Sequence, residues 1–182
     1  MKSFLYSVLE TLEVVLVAFV TVFVIRNFLI QPFLVSGNSM EPSFSSGDYL
    51  LVDEVSYRFR EPERGEVVVF RYKDNESTFY IKRIIGLPQE RILINDEKIF
   101  IFNLEYPDGF NPKEKYIASS IKTLGNVDIA LSENEYFVLG DNRYYSFDSR
   151  SWGPVQRAEI VGSARLRLWP INKVMAFDSP VY

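Results

Sequence analysis

The feature that constrains this chain most is an apolar run near its N-terminus, residues 14–25, with the sequence VVLVAFVTVFVI. Thr21 is its one polar side chain, and flanking apolar residues extend the segment to the roughly 20 residues that a bilayer-spanning helix needs. Glu10 and Glu13 precede the run and Arg26 follows it, so charges lie at its edges, where they can reach lipid headgroups. The run is hydrophobic on every side, as a lipid-facing helix is. We therefore predict a transmembrane helix.

Two other interpretations of this segment are weaker. A cleaved signal peptide would begin with more basic residues and offer a small-residue cleavage site, which NFLIQPFLV does not contain. A buried core helix would show an amphipathic pattern. We assign residues 1–31 to a membrane anchor and residues 32–182 to a second domain, and we expect Pro32 to end the helix near the membrane surface. Charge leaves the orientation open, because Lys2 precedes the run and Arg26 follows it.

The composition excludes several kinds of chemistry. The 182 residues include neither cysteine nor histidine, which rules out disulfides, thiolate nucleophiles and the usual zinc ligands. The formal net charge is −4, and no cluster of Lys and Arg is dense enough to neutralise a nucleic-acid backbone. We therefore expect no metal, no cofactor and no nucleic-acid partner.

Beyond the anchor, the pattern is typical of a mainly β domain. No long helical crossover separates the candidate strands, which indicates antiparallel pairing in a sheet or a coiled β-barrel. Residues 101–135 are more polar and carry Pro107, Gly109 and Pro112, so we expect a less regular insertion there. The candidate strands, separated by turn signals, are DYLLVDEVSY, GEVVVFRY, TFYIKRIIG, RILINDEKIFI, EYFVLGDN and EIVGSARLRLWP.

Ser39, in the stretch VSGNSMEPSF, is a candidate nucleophile without its usual base, because the chain has no histidine. A lysine can replace histidine if burial lowers its pKa from about 10.4 by several units. Lys82 is the candidate, since it lies in the strongly β-forming run FYIKRIIG, where Tyr80 and Ile84 share its face of the strand. The alternative is that Lys82 and Arg83 are charges of an edge strand that discourage aggregation.

Four motifs carry a resemblance to a known family. SGNSMEPSF, GDYLLVDEVSYRF, YIKRIIGLPQE and GDNRYYSFDSRSWGPV occur in the order, and with the character, of the conserved boxes of bacterial type I signal peptidases. One Ser-Met-x-Pro would be a weak signal, whereas four motifs in order behind a membrane span are specific. The resemblance covers the anchor and most of residues 31–100 and 136–170, and it leaves residues 101–135 unmatched.

The resemblance implies a Ser–Lys dyad, with Ser39 as the nucleophile and Lys82 as the general base. Ser146 would orient the lysine, and the backbone N–H of Ser39 would stabilise the oxyanion. Some members carry a second oxyanion donor, a serine hydroxyl, two residues before the nucleophile; Gly37 occupies that position here and leaves the donor unassigned. The other implied roles are supporting ion pairs, Arg83 with Asp141 and Asp148 with Arg150, and substrate pockets formed by Phe33, Val35, Met40, Tyr80 and Ile81.

The function that the resemblance implies is that of a membrane-bound serine endopeptidase. It would cleave signal peptides from exported preproteins after small residues, at sites of the Ala-x-Ala type. Its catalytic domain would lie on the outer side of the plasma (inner) membrane, with the lipid bilayer and signal peptides as its partners. The alternatives are a specialised Ser–Lys peptidase, either conjugation-linked or a self-cleaving repressor of the LexA type, and a membrane-anchored β domain that binds partners without catalysis. For residues 101–135 we expect a cap over the substrate groove.

Overall fold

The computed structural model describes residues 2–28 and 30–177. It begins with helix α1, Lys2–Phe28, whose 27 residues give a length of about 40 Å. The window Tyr6–Phe23 has a mean hydropathy of 1.9, and none of it is buried against the rest of the chain. By length and composition, α1 is therefore able to cross a membrane.

Pro32 does not end this helix, and our expectation on that point was wrong. Helix α1 ends at Phe28, and Pro32 lies inside the first strand, β1, Ile30–Leu34. Strand β1 stands at the edge of its sheet and pairs Pro32 with Leu51 of the neighbouring strand. Proline is tolerated there because an edge strand needs only one side of its backbone for hydrogen bonds.

The remaining strands are short apart from two, and one short helix interrupts them. The bounds are β2 Tyr49–Asp53, β3 Val67–Tyr72, β4 Asn75–Gly86, β5 Arg91–Asn95, β6 Lys98–Phe102, β7 Val127–Ala130, β8 Glu135–Leu139, α2 Ser149–Trp152, β9 Val155–Gln156, β10 Ile160–Trp169 and β11 Met175–Ala176. Single turns of 3₁₀ helix cover Ser56–Arg58, Arg157–Glu159 and Ile171–Lys173.

All pairs among the described strands are antiparallel, and these strands form two sheets. The larger sheet has the order β1-β2-β10-β3-β4-β8-β9, with β11 added to β10. The smaller sheet has the order β6-β5-β7. The turn between β5 and β6 is Asp96–Glu97, with φ angles of 49° and 63°, as the tight hairpin turns of twisted strands require. The prediction of a mainly antiparallel β fold behind one N-terminal apolar helix is confirmed.

Strand β4 lies inside the larger sheet, between β3 and β8. Lys82 is opposite Val68 of β3, and Arg83 is opposite both Val67 of β3 and Leu139 of β8. Lys82 and Arg83 are only 3% and 6% exposed. The interpretation of these two cations as edge-strand charges is therefore wrong, because neither one faces solvent at a sheet edge.

Strand β8 is buried on both faces, because the two sheets and the loops cover it from both sides. Tyr136 and Val138 join one apolar cluster, which also contains Val68, Phe70 and Ile84. Phe137 and Leu139 point to the other side, into a cluster with Ile85 of β4 and with Ile92, Ile94, Ile99 and Ile101 from the smaller sheet. The alternation of β8 side chains thus joins the smaller sheet to the larger one.

Glu90, between β4 and β5, ties the junction of the two sheets together. Its buried carboxylate receives two hydrogen bonds from Arg64, at 2.8 and 2.6 Å. It also accepts from Leu87 N–H at 2.8 Å and from Asn103 Nδ2 at 2.9 Å. One carboxylate therefore accepts hydrogen bonds from the Arg64 guanidinium, from the turn after β4 and from the first residue after β6.

Replacing Glu90 by alanine leaves the Arg64 guanidinium, whose side chain is 11% exposed, without its counter-charge. We expect Glu90→Ala to lower the free energy of unfolding by about 3–5 kcal/mol, the usual cost of removing one partner of a buried ion pair. Urea unfolding of the full chain in detergent measures it. Glu133→Ala, at an exposed glutamate, is the control and should stay within about 0.5 kcal/mol of wild type. Equal losses of unfolding free energy in the two variants would contradict the role of Glu90 as the counter-charge of Arg64.

Candidate active site

Ser39 lies in the turn that follows β1, and the start of this turn is fixed by the backbone. Val35 N–H donates to Asp48 O at 2.9 Å, which closes the loop that contains the serine. Gly37 has a φ of 95°, a left-handed conformation that glycine adopts without strain. A glycine offers no side-chain donor, and the backbone N–H of Gly37 donates to Ser46 Oγ at 3.3 Å.

Lys82 reaches Ser39 from strand β4. Its Nζ lies 2.7 Å from Ser39 Oγ and donates to Ile81 O at 2.9 Å. Burial removes the ammonium group from water and lowers the pKa of Lys82 from 10.5 to about 8, although the charges of Asp148 and Asp141 act in the opposite direction. The neutral amine, which can accept a proton from a hydroxyl group, is therefore populated far closer to neutral pH than in an exposed lysine.

Arg83 and Asp141 form a buried, bidentate ion pair. Arg83 Nε donates to Asp141 Oδ1 at 2.8 Å and Nη2 donates to Oδ2 at 2.6 Å, while Nη1 donates to Gly65 O at 2.8 Å. Arg83 follows Lys82 in β4, and Asp141 belongs to residues 140–148, which we call the site loop. The ion pair therefore joins the lysine strand to the site loop.

The two ends of the site loop are held to each other by Asp148, whose side chain is fully buried. Its carboxylate pairs with Arg150 through Nε–Oδ1 and Nη2–Oδ2 bonds, both 2.8 Å long. It also accepts a hydrogen bond from Gly140 N–H at 3.1 Å. Each carboxylate near Lys82 thus has its own arginine, which fixes its position.

Ser146, in the same loop, has a buried Oγ without a hydrogen-bond partner among the described residues. It lies beside Gly140, because a Cβ added to Gly140 would stand 2.2 Å from Ser146 Oγ and 2.4 Å from the carbonyl oxygen of Ser39. Only glycine at position 140 lets the site loop pack directly on the backbone of Ser39. The structure records no hydrogen bond from Ser146 to Lys82, so the orienting role stays a prediction.

Asn142 belongs to this site although the sequence did not single it out. Its N–H donates to Ser39 O at 3.0 Å, and its Nδ2 donates to Asn38 O at 3.1 Å. Asn142 therefore binds the site loop to the backbone of the turn that contains Ser39. Its place directly after Asp141 in the motif GDNRYYSFDSRSWGPV was the signal that would have found it.

A cavity of about 360 Å³ opens next to Ser39 and Lys82. Phe33, Val35, Tyr80 and Ile81, four of the five residues for which the resemblance implied a role in substrate pockets, line it. Met40 does not line it; its side chain is 1% exposed and packs in the core among neighbours such as Phe44. The lining residues that sequence reasoning missed are Leu34, Leu50, Val69, Phe79, Tyr145 and Phe147.

A larger cleft, of about 860 Å³, lies away from this site. It is bounded by the β5–β6 hairpin and by residues 111–123, and none of these lining residues forms a described hydrogen bond with Ser39 or Lys82. Size therefore does not identify the reactive site, and we take the smaller cavity, which contains the serine–lysine contact, as the candidate.

The lowered pKa of Lys82 makes the stability of the fold depend on pH. Below about pH 8 the lysine is protonated in both the folded and the unfolded chain, so it contributes no pH dependence. As the pH rises from about 8 toward 10.5, the folded chain loses this proton while the unfolded chain keeps it, and the stability increases by up to about 3 kcal/mol.

Urea unfolding of wild type and Lys82→Met as a function of pH tests this linkage. The methionine variant has no proton to lose at this position, so the stability of wild type relative to the variant should rise between about pH 8 and pH 10. Parallel curves for the two proteins would show that the Lys82 pKa is not lowered in the fold.

Comparisons with known proteins agree with the motifs. The family described as signal peptidase, peptidase S26, matches residues 8–169. "Probable signal peptidase I-2" of Synechocystis sp. is 36% identical over 155 residues, which cover 82% of this chain and 68% of that protein. "Signal peptidase IB" of Staphylococcus aureus is 32% identical over 178 residues, which cover 92% of each chain.

A crystal structure of a signal peptidase I from Enterococcus faecalis overlaps with 57% of this chain and 97% of that one, at 28% identity and a TM-score of 0.47. The family match includes residues 101–135, which the four motifs had left unmatched. With a match over residues 8–169 and two relatives above 30% identity across most of its length, the chain belongs to the signal peptidase family, peptidase S26.

Proposed function

We propose that this chain is a membrane-bound serine endopeptidase that removes signal peptides from exported preproteins, with Ser39 and Lys82 as its catalytic dyad. The observation that carries the proposal is the 2.7 Å separation of Lys82 Nζ and Ser39 Oγ in a buried environment that lowers the lysine pKa to about 8. Family membership makes the chain a peptidase, and this contact supplies a nucleophile and a base in a protein without histidine.

In the proposed reaction, neutral Lys82 accepts the proton of Ser39 as Oγ attacks the scissile carbonyl carbon. The tetrahedral intermediate then collapses, the C–N bond breaks, and Lys82 returns the proton to the leaving amine. This leaves an ester between Ser39 and the signal peptide. Water attacks the ester with Lys82 again as the base, which frees the new carboxylate and restores the serine hydroxyl.

The other groups of the site hold this pair in place. Within the described part of the chain, the backbone N–H of Ser39 has no hydrogen-bond acceptor, which leaves it free to donate to an oxyanion. The buried, unpartnered hydroxyl of Ser146 is a polar group that needs a partner, and the Lys82 amine is the partner we propose. The ion pair of Arg83 with Asp141 holds the site loop against strand β4, which carries Lys82. The ion pair of Asp148 with Arg150 fixes the far end of that loop.

The cavity and the sheet edge support an extended peptide as the substrate. Strand β1 ends the order of the larger sheet, so its outer backbone groups lie free of another described strand, and the cavity beside it begins at Phe33. A peptide added along this edge would gain backbone hydrogen bonds, and shallow apolar pockets would select small side chains. This arrangement explains how varied signal sequences with an Ala-x-Ala site could share one enzyme.

Apolar side chains on the surface support a position against the membrane. Leu34, Tyr49 and Trp169 are exposed neighbours across β1, β2 and β10, at 60%, 44% and 53%. Ile171, in the turn after β10, is 73% exposed. Exposed aromatic and aliphatic side chains of this kind favour the membrane–water interface. We place the catalytic domain on the outer face of the membrane, where exported preproteins emerge.

Cleavage of a preprotein with alanine at positions −1 and −3 tests the proposal directly. The purified full chain in detergent should release the signal peptide, whereas Ser39→Ala and Lys82→Ala should lose at least about 10³-fold in kcat, because the nucleophile or its base is gone. Product masses identify the bond that is cut.

Matched controls use a serine and a lysine that lie on the surface. Ser120→Ala and Lys98→Met change exposed residues and should cleave at the wild-type rate. Full activity in either dyad variant would exclude the assigned mechanism, and a wild-type chain that cuts no such preprotein would exclude the function.

The pH dependence of cleavage reports the base. Because only neutral Lys82 can accept the serine proton, kcat/KM should fall about tenfold per pH unit below an apparent pKa of about 8 and level off above it. The profile is measured with a fluorogenic peptide at substrate concentrations well below KM. A rate that stays constant from pH 6 to pH 9 would mean that no group with a pKa of about 8 acts as the base.

A further inference from the structure

We expected residues 101–135 to cap the substrate groove; within that range, the segment between β6 and β7 covers residues 103–126. None of its residues lines the cavity beside Ser39. The segment instead contacts the site loop and its flank: Lys122 N–H donates to Tyr144 OH at 3.3 Å, and Leu124 O accepts from Arg150 Nη1 at 3.1 Å. The expected cap is therefore a support for the loop that carries Ser146.

Arg143 is the centre of this support. The side chain of Arg143 belongs to the site loop and is completely buried. Its Nη1 donates to Glu114 Oε2 at 3.0 Å, and its Nη2 donates to Glu114 Oε1. Thr123 Oγ1 accepts a further hydrogen bond from Nη1. Glu114 and Thr123 both come from the 103–126 segment, so that segment supplies the counter-charge of a buried cation in the site loop.

The Nε of Arg143 points back toward the proposed nucleophile. It donates to Gly140 O at 3.0 Å. Gly140 is the residue whose backbone packs against Ser39 O and the side chain of Ser146, with no room for a methyl group. A displacement of Arg143 is therefore passed through Gly140 to the nucleophile's turn, because close-packed atoms cannot absorb it.

A second contact links the same segment to the lysine strand. Tyr116 OH donates to Glu114 Oε1 at 2.5 Å. The Tyr116 ring packs on the guanidinium of Arg83, with Cζ 3.9 Å from the ring centroid. Arg83 is the residue after Lys82 and pairs with Asp141. Glu114 is thus connected to both proposed catalytic residues. It is connected to Ser39 through Arg143 and Gly140, and to Lys82 through Tyr116 and Arg83.

We infer that Glu114 is a positioning residue for the reaction of Ser39 and Lys82. It neutralises Arg143 and keeps that guanidinium under Gly140, and it holds the tyrosine that packs on Arg83. An uncompensated buried guanidinium would turn toward solvent and withdraw its hydrogen bond from Gly140. The inference rests on the proposed function, and it assigns to the 103–126 segment a part in catalysis that involves no contact with the substrate.

The test compares Glu114→Gln with Glu105→Gln in full-length protein. The first variant keeps the side-chain shape and removes the charge that pairs with Arg143; the second changes an exposed glutamate of the same segment. Glu114→Gln should lower kcat for the Ala-x-Ala preprotein by about 10- to 100-fold, the range that a misplacement of about 1 Å produces, with KM unchanged. Glu105→Gln should match wild type in both constants.

A double variant distinguishes a role of Glu114 in positioning the catalytic residues from a role in stability alone. Glu114→Gln combined with Arg143→Met removes the buried charge together with its partner, which should restore the midpoint of unfolding to near the wild-type value. The rate should stay low, because Gly140 O still lacks its donor. Recovery of kcat along with the unfolding midpoint would overturn the inference, and so would a loss in Glu114→Gln that disappears once the rate is corrected for the folded fraction.

Hydrogen exchange of the site loop gives a readout that does not depend on activity. Amides in residues 140–148 should exchange faster in Glu114→Gln than in wild type or Glu105→Gln, because the loop loses its anchor. Unchanged exchange would overturn the inference even where cleavage by wild type is normal. A wild type that cuts no preprotein would overturn the proposed function, and the inference with it, whatever the exchange shows.

Discussion

The burial of one amine is the constraint on which the rest of the site depends. An ammonium group loses its hydration when it is enclosed, and Lys82 is 3% exposed between strands that offer it few polar groups. Under the proposed function, this cost yields a base in a chain that has no histidine. The position of Lys82 alone produces this burial. The residue lies on an inner strand of an apolar sheet, and Ile81 O accepts a hydrogen bond from its Nζ at 2.9 Å. The pKa of about 8 follows from that burial, and it makes the contact with Ser39 chemically useful.

Charges around the amine must be balanced if its pKa is to stay low. Asp141 and Asp148 are close enough to favour the protonated lysine, and either one unpaired would favour it more. Each is instead occupied by a bidentate arginine, Arg83 or Arg150. A third buried arginine, Arg143, is balanced by Glu114. Each of these three arginines has a carboxylate partner, whereas Lys82 has none among the described residues.

The sequence predicted what depends on local pattern and on motif order. The apolar helix and the antiparallel strands follow from short stretches of residues, so periodicity and composition were sufficient to find them. Composition and local pattern made Ser39 and Lys82 candidates, and the order of the four motifs implied that they form a pair. What it missed depends on contacts between distant segments. Pro32 was taken as a helix end because an edge-strand position cannot be recognised without the sheet order. Asn142 was overlooked because its partners are the backbone carbonyl groups of Asn38 and Ser39, so only its place in the motif pointed to it.

The short connection between the helix and the first strand has a consequence for which proteins can be cut. Phe28 and Ile30 are separated by one residue, and Ser39 follows Phe28 by eleven positions. A chain of that length spans at most about 40 Å even when fully extended, so the serine is tethered within that distance of the helix end. Under the proposed function, the distance of a cleavage site from the bilayer then helps to decide whether a protein is cut. A matching Ala-x-Ala sequence in a folded, fully exported protein would lie out of reach, whereas the same sequence just beyond a membrane-held segment would meet the serine repeatedly.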